Sequence, residues 1–183
     1  MIAKIESRAV AACASLVVLA SGLASCGGSA PEPPVGASVV AGPTKIDFAF
    51  DSLDGRPVTS EAMRGKPTLI VFVDTGDRWS PAQVNFFVVM AKNDGDKVNY
   101  VVVALEPRSN RELVEAYRGS LGVTFPVALA DAQSLTGAGP FGKWVGLPTI
   151  VLLDRSGRLR WRVDGHVVKA DEIRTQLRAL DSP

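Results

Sequence analysis

The pattern of hydrophobic and polar positions from Ile46 onward alternates between short apolar runs and longer amphipathic stretches. Thr68 to Val73 and Val98 to Leu105 are continuous apolar runs rich in β-branched residues. Such runs predict strands that are buried on both faces. Shorter runs predict strands over 46–50, 149–153 and 158–163, and another short apolar run covers 127–130.

Helical periodicity separates these runs and predicts helices over 81–92, 109–119 and 171–180. Ser80-Pro81-Ala82-Gln83 and Ser109 to Glu112 both have the spacing of a capping box, which predicts side-chain caps at Ser80 and Ser109. The alternation of strands and helices, followed by a hairpin and a closing helix, predicts an α/β fold. We expect a mixed central sheet with helices on both faces.

The last predicted strand alternates strictly between apolar and basic side chains. Leu159, Trp161 and Val163 are expected on the core face. The opposite face would carry Arg158, Arg160 and Arg162. We interpret the arginines as a solvated face rather than as a binding stripe.

The first 25 residues have the organisation of a signal peptide. Lys4 and Arg8 precede an uncharged run over 9–20, and small residues follow as far as Cys26. This run is shorter than the roughly 20 apolar residues that span a bilayer. Leu23-Ala24-Ser25-Cys26 resembles the lipobox of bacterial lipoproteins, which implies a lipid on Cys26 and cleavage before it. An ordinary secretory signal with an incidental cysteine is the alternative.

This organisation predicts a signal peptide over 1–25, a lipid-anchored Pro- and Gly-rich tether over 26–45 and a folded domain over 46–183. We expect the protein to be exported and anchored in the cell envelope, on the periplasmic side of either membrane or at the cell surface. The chain has 20 basic and 19 acidic residues. Loss of Lys4, Arg8 and Glu6 with the signal peptide makes the two numbers equal, which gives no electrostatic basis for nucleic-acid binding.

Several motifs occur in a characteristic order within the folded domain. Gly65-Lys66-Pro67 precedes the first long strand, and Gly146-Leu147-Pro148-Thr149 precedes the hairpin. Three further segments, 53–58, 121–127 and 153–158, belong to the same ordered set of motifs. Together they resemble the thioredoxin fold, and in particular the TlpA-like or redoxin family of anchored, exported disulfide reductases. The resemblance extends from about residue 46 to residue 180.

The redox motif of that family, Cys-x-x-Cys between the first long strand and the next helix, has no counterpart here. The two cysteines of the chain are Cys13 and Cys26. An ungapped alignment places the motif over Asp77-Arg78-Trp79-Ser80, and an alignment anchored on the tryptophan places it over Ser80-Pro81-Ala82-Gln83. We favour the first register. Both registers put oxygen or amide groups where the sulfurs would be, so we assign no catalytic residue.

Other chemistry at this loop receives little support from the sequence. A serine nucleophile at Ser80 would need a base, and the single histidine, His166, is far along the chain. Asp74 and Asp77 are interpreted as solvated loop residues. Met63, Met90 and His166 are isolated, so we expect no metal and no cofactor.

The resemblance also implies a binding groove. The family proline matched by Pro148 is cis, and the backbone of the preceding residue, here Leu147, pairs with an extended segment of the partner. Trp79 and Trp144 would flank this groove, although core packing is equally compatible with both. We therefore predict a non-catalytic binding module for an extended segment of an envelope protein. The alternative is a component of a thiol–disulfide pathway, such as cytochrome maturation, that acts through the thiols of its partners.

Overall fold

The computed structural model describes residues 45–181 and the backbone of Ala37–Ser38. The predicted signal peptide, Cys26 and most of the predicted tether lie outside these residues. Within the described part of the chain, no helix is long and apolar enough to cross a membrane.

Among the described residues, eight strands form the sheet, in the spatial order β1-β8-β7-β4-β5-β6-β2-β3. The pairs β4–β5 and β5–β6 are parallel, and the other neighbours are antiparallel. The strands are β1 (Ala37–Ser38), β2 (Ala49–Ser52), β3 (Val58–Thr59), β4 (Thr68–Val73), β5 (Asn99–Ala104), β6 (Val127–Leu129), β7 (Thr149–Leu153) and β8 (Leu159–Asp164).

In the described part of the chain, three α-helices and one 3-10 turn connect the strands, and a fourth α-helix follows β8. The turn covers Arg108–Asn110 and leads directly into the second helix. The helices are α1 (Ser80–Asp94), α2 (Arg111–Ser120), α3 (Ala132–Leu135) and α4 (Ala170–Ala179). The predicted helices and long strands are therefore present, with ends that differ from the prediction by at most three residues, whereas β1, β3 and α3 were not predicted.

The side chains of β4 alternate between two hydrophobic cores. Leu69, Val71 and Val73 lie in a core with buried residues of α1, α2 and α4. Ile70 and Phe72 face the opposite core. All five side chains have no exposed surface, and burial of each stabilises the fold by about 1.5–3 kcal/mol. This central position explains the unbroken apolar run in the sequence.

The second core is covered mainly by the segment before β4 and the loop before β7. Phe48, Phe50, Phe72 and Phe141 pack there as an aromatic cluster, with ring centroids 4.9–6.2 Å apart. The short helix α3 contributes Leu135 to the same face. The predicted fold class is confirmed, but the three longer helices all lie on the first face.

The prediction for the last strand is wrong at Leu159. A bulge lies between two register pairs, because Leu152 pairs with Trp161 whereas Leu153 pairs with Leu159. The extra residue, Arg160, moves Leu159 to the face opposite Trp161.

The prediction of a solvated arginine face is also wrong in part. The Arg162 side chain is only 11% exposed and lies 2.7 Å from Asp164. It also donates to the carbonyl oxygens of Phe141 and Lys143. Arg162 therefore holds the loop before β7 against the end of β8.

The cap predicted at Ser109 is wrong as well. Ser109 lies inside the 3-10 turn, and Asn110, the N-cap of α2, makes no side-chain capping bond. Ala37–Ser38, inside the predicted tether, pairs with Arg162 and Val163 at the β8 edge. An otherwise open edge strand offers free backbone groups to such a segment.

Candidate functional site

Two loops meet at one end of the sheet because β4 and β7 are antiparallel neighbours. Phe72, near the end of β4, pairs with Thr149, the first residue of β7. The residues that follow β4, 74–79, therefore lie beside Leu147 and Pro148, which precede β7. The structure thus brings together the loop with the degenerate motif and the proline loop, which the sequence places about 70 residues apart.

Asp77 and Ser80 are joined directly at the start of α1. Asp77 Oδ2 accepts hydrogen bonds from the Ser80 backbone N–H at 2.7 Å and from the Ser80 hydroxyl at 2.6 Å. Ser80 is the first residue of the helix, and Trp79 at the N-cap provides no side-chain cap. The predicted serine cap is therefore wrong, because the carboxylate of Asp77 satisfies the free N–H of the first turn.

Gln83 is also not part of a capping box. Its side chain is fully buried, and Gln83 Oε1 accepts a hydrogen bond of 2.7 Å from the backbone N–H of Val168. Gln83 Nε2 is buried and has no partner among residues 45–181. Gln83 therefore links α1 to the segment between β8 and α4, underneath the loop rather than on its surface.

Thr75 is fixed by a buried carboxylate that the sequence analysis did not identify. Glu106, 7% exposed, accepts hydrogen bonds from the Thr75 N–H and hydroxyl and, at 2.8 Å, from Asn110 Nδ2. Burial would raise the pKa of Glu106, but these hydrogen bonds outweigh it and lower the pKa below its ordinary value. Glu106 is therefore an ionised anchor that sets the path of the chain leaving β4.

The proline loop carries a backbone free for pairing. The Leu147–Pro148 peptide bond is cis. Pro148 O accepts the N–H of Gly165, and Gly146 O accepts the Thr149 hydroxyl. Within the described chain, neither the N–H nor the carbonyl of Leu147 makes a hydrogen bond. Leu147 itself is half-buried and Pro148 is buried.

A close approach of two glycines supports the proline loop from behind. A Cβ atom on Gly146 would lie 2.7 Å from the Cα of Gly165. Thr149 adds a hydrogen bond of 2.8 Å from its hydroxyl to Asp164 Oδ1. The backbone of the loop is thus fixed against the end of β8.

The two tryptophans differ in their surroundings. Trp144 packs against Phe72 in a tilted arrangement with ring centroids 4.6 Å apart, and it donates from Nε1 to Ser134 O at 2.6 Å. Trp144 is thus a supporting residue of the loop. Trp79 is 50% exposed, with the Arg78 guanidinium 4.7 Å from its ring. Val145, which the sequence analysis did not single out, is 85% exposed.

His166 and the methionines are not assembled into a ligand set. The His166 ring lies 3.2 Å from Asp164 O, whereas Met63 and Met90 are buried in opposite cores. Across the part of the chain that the structure describes, no group of three or more His, Cys, Asp or Glu residues could hold a metal ion.

Known proteins with similar sequences or structures include thiol–disulfide oxidoreductases. The thiol–disulfide oxidoreductase ResA of Geobacillus thermodenitrificans is 28% identical over 138 residues, which is 73% of this chain and 75% of ResA. A thioredoxin-family thiol:disulfide interchange protein of Chlorobium tepidum is 26% identical, with a TM-score of 0.62 over 76% of this chain and 98% of its own.

A more distant structure is a secreted disulfide oxidoreductase of Mycobacterium tuberculosis, described as homologous to E. coli DsbE. It is 15% identical, with a TM-score of 0.61 over 73% of this chain and 96% of its own. No protein-family profile matches the chain.

The sheet order, the cis-proline loop and these superpositions define a thioredoxin-like fold. The chain is homologous to the ResA/TlpA-like thiol–disulfide oxidoreductases.

Proposed function

We propose that this protein is a non-catalytic, thioredoxin-like binding module that is exported, held in the cell envelope by lipid on Cys26, and bound to an extended segment of another envelope protein. The observation that carries the proposal is the unpaired backbone of Leu147 beside a loop without thiols. Export is supported by the secreted M. tuberculosis protein of the same fold.

The loop chemistry argues against dithiol exchange by the chain itself. Thiol–disulfide exchange requires a thiolate that attacks a disulfide sulfur. Asp77 and Ser80 carry oxygen atoms, and their side chains are already bonded to each other at 2.6 Å. Neither can form a mixed disulfide with a partner.

Binding of an extended segment is supported by the groups around Leu147. A free N–H and a free carbonyl on one residue can pair with one residue of an added strand, as in β-strand addition. Exposed Trp79 and Val145 provide apolar surface on the two adjoining loops, and aromatic side chains are frequent anchors of interfaces.

Site-specific photo-crosslinking in membranes tests this proposal. A photoreactive phenylalanine replaces Val145 in one variant and Leu113, which is 51% exposed on α2, in the control. We expect a discrete protein adduct from position 145 and none from position 113. Equal adduct patterns from both positions would refute a specific site at the proline loop.

A second candidate function is support of a thiol–disulfide pathway through the thiols of a partner. The homology to ResA favours it. Reduction of insulin disulfides by the mature chain, with Cys26→Ser to remove its last thiol, separates the two. We expect no turnover above buffer from the chain alone. Turnover by the chain alone would contradict the proposed non-catalytic binding module, because that module has no group that could reduce a disulfide.

A further inference from the structure

A cavity of about 600 Å³ lies at the end of the sheet opposite the proline loop. Pro67, immediately before β4, and Val98, immediately before β5, form part of its wall. Arg174, Leu177 and Arg178 of α4 form the other side. We name this space the basal cavity.

The basal cavity has an excess of positive charge. Its basic residues outnumber its acidic residues by four to two: Lys97, Arg155, Arg174 and Arg178 against Asp94 and Asp181. Arg155 and Asp181 form an ion pair of 2.7 Å and neutralise each other. Lys97, Arg174 and Arg178 then face a single carboxylate, Asp94, which also accepts a 2.5 Å hydrogen bond from the Tyr100 hydroxyl.

One of these cations has an unsatisfied donor. Arg174 Nε is buried and makes no hydrogen bond within residues 45–181. A buried N–H without an acceptor is unfavourable, because it has lost its hydrogen bonds to water. Burial and the Asp94 carboxylate raise the pKa of Tyr100, and the nearby Arg174 guanidinium acts in the opposite direction. Arg174 therefore lines the cavity, and its Nε, which is covered from solvent, has no acceptor in the described chain.

We propose that the basal cavity binds a phosphate-bearing organic anion. The phosphate oxygens would accept hydrogen bonds from Lys97, Arg174 and Arg178, because guanidinium and ammonium groups bind phosphate by charge-assisted hydrogen bonds. The organic part would lie against Pro67 and Leu177. The volume exceeds what a phosphate alone needs and is within the range of small-molecule sites.

The position of the cavity suggests a competing explanation for one of the cations, Arg178. The cavity lies beside the carboxyl ends of α1 and α4, and Arg178 is in the last turn of α4. Basic residues there stabilise a helix through its dipole. If the role of these residues is purely structural, their replacement lowers stability whether or not an anion is present. If they form a binding site, addition of the anion raises stability, and their replacement removes that rise.

The experiment uses the mature chain with Cys26→Ser and three probes: inorganic phosphate, glycerol 3-phosphate, and phosphatidylglycerol vesicles compared with phosphatidylcholine vesicles. Binding is measured by calorimetry, by the rise in Tm and by vesicle co-sedimentation. The test variant is Lys97→Gln/Arg178→Gln. The control, Arg64→Gln/Lys143→Gln, removes the same charge outside the cavity.

We expect glycerol 3-phosphate to bind and to raise Tm, and the test variant to bind at least about tenfold more weakly, since a hydrogen bond to a charged group is worth at least that factor. The control should match the parent chain. Binding of phosphatidylglycerol vesicles without glycerol 3-phosphate would support the site with a lipid headgroup as its ligand. Failure of every probe, or equal weakening in both variants, would overturn the proposal.

Discussion

The carboxylate of Asp77 accepts both the backbone N–H and the hydroxyl of Ser80, and this pair closes the turn at which α1 begins. The bond joins positions i and i+3 of the loop, the same spacing that separates the two cysteines in the Cys-x-x-Cys of the related oxidoreductases. In the ungapped register, this helix cap takes the place of the family's redox motif. The ungapped register, Asp77 to Ser80, stays a prediction, and so does the alternative register that ends at Gln83.

Replacement of both residues by cysteine tests this register. In the variant Asp77→Cys/Ser80→Cys, the two sulfurs lie at the helix start, where a thiolate is stabilised by the helix dipole. We expect an intramolecular disulfide on oxidation and measurable reduction of insulin. Mass spectrometry with thiol labelling detects the bond.

The matched control for this variant is Ser80→Cys/Gln83→Cys. Gln83 is fully buried and bonded to Val168, so we expect no disulfide and no turnover from that pair. A disulfide in the control but not in the test variant would favour the alternative register, Ser80 to Gln83.

Glu106 predicts a dependence of stability on pH. Its pKa is lowered in the folded state, so its stabilising contribution is present above the unfolded pKa of about 4.5 and is lost as the pH falls through the folded value. We expect Glu106→Gln to lower the free energy of unfolding at pH 7 by about 1.5–3 kcal/mol, because hydrogen bonds to a charged group are lost. Denaturant titrations at several pH values measure both effects.

Glu112→Gln is the control for Glu106, because Glu112 is exposed on α2. We expect a change within about 0.5 kcal/mol. Two outcomes would contradict the assignment of Glu106 as an ionised anchor. One is a wild-type stability that does not change below pH 4.5. The other is the same dependence of stability on pH in the wild type and in Glu106→Gln.

Gly146 tests the support of the proline loop. A methyl group at this position would lie 2.7 Å from Gly165 Cα, so Gly146→Ala should separate the proline loop from the end of β8. We expect a loss of about 1–3 kcal/mol in the free energy of unfolding, as for other overpacked sites. Thermal and denaturant unfolding measure it.

Gly119→Ala provides the matched control. Gly119 is inside α2, and a Cβ there meets nothing within 4 Å. The same substitution should therefore stabilise the protein by about 0.5–1 kcal/mol. Opposite signs for the two variants are the expected result, and two losses of equal size would disprove a role for the glycine contact.

Cys26 determines membrane attachment in the proposed function. The variant Cys26→Ser has no thiol to accept lipid, so we expect the precursor to remain unprocessed or to be released as a soluble form. Two acyl chains anchor a protein stably, and each buried methylene contributes about 0.8 kcal/mol. Fractionation of envelope extracts without detergent measures the outcome. Complete retention of a mature-sized variant in membranes would contradict lipid anchoring.

The fold could be predicted from the sequence because its central strands carry their own signal. The predicted strands at Thr68–Val73 and Thr149–Leu153 have the bounds that the structure shows, since a strand covered on both faces needs an unbroken apolar run. The motif Gly146 to Thr149 likewise indicated the proline loop. The bulge at Arg160 could not be predicted, because strict alternation of side chains gives no sign of an extra residue.

The amino-acid sequence by itself determined that the folded domain has no cysteine and that its elements follow the thioredoxin order. Only the tertiary structure decided what the remaining site residues do. Glu106 reaches Thr75 across 31 positions of the chain, and Gln83 reaches Val168 across 85. A capping pattern in the sequence shows only which nearby side chains could bond to the free backbone groups of a helix end. Which donor and acceptor meet depends on the packing of distant strands and helices, and that packing gave Ser80 its partner in Asp77 and buried Gln83.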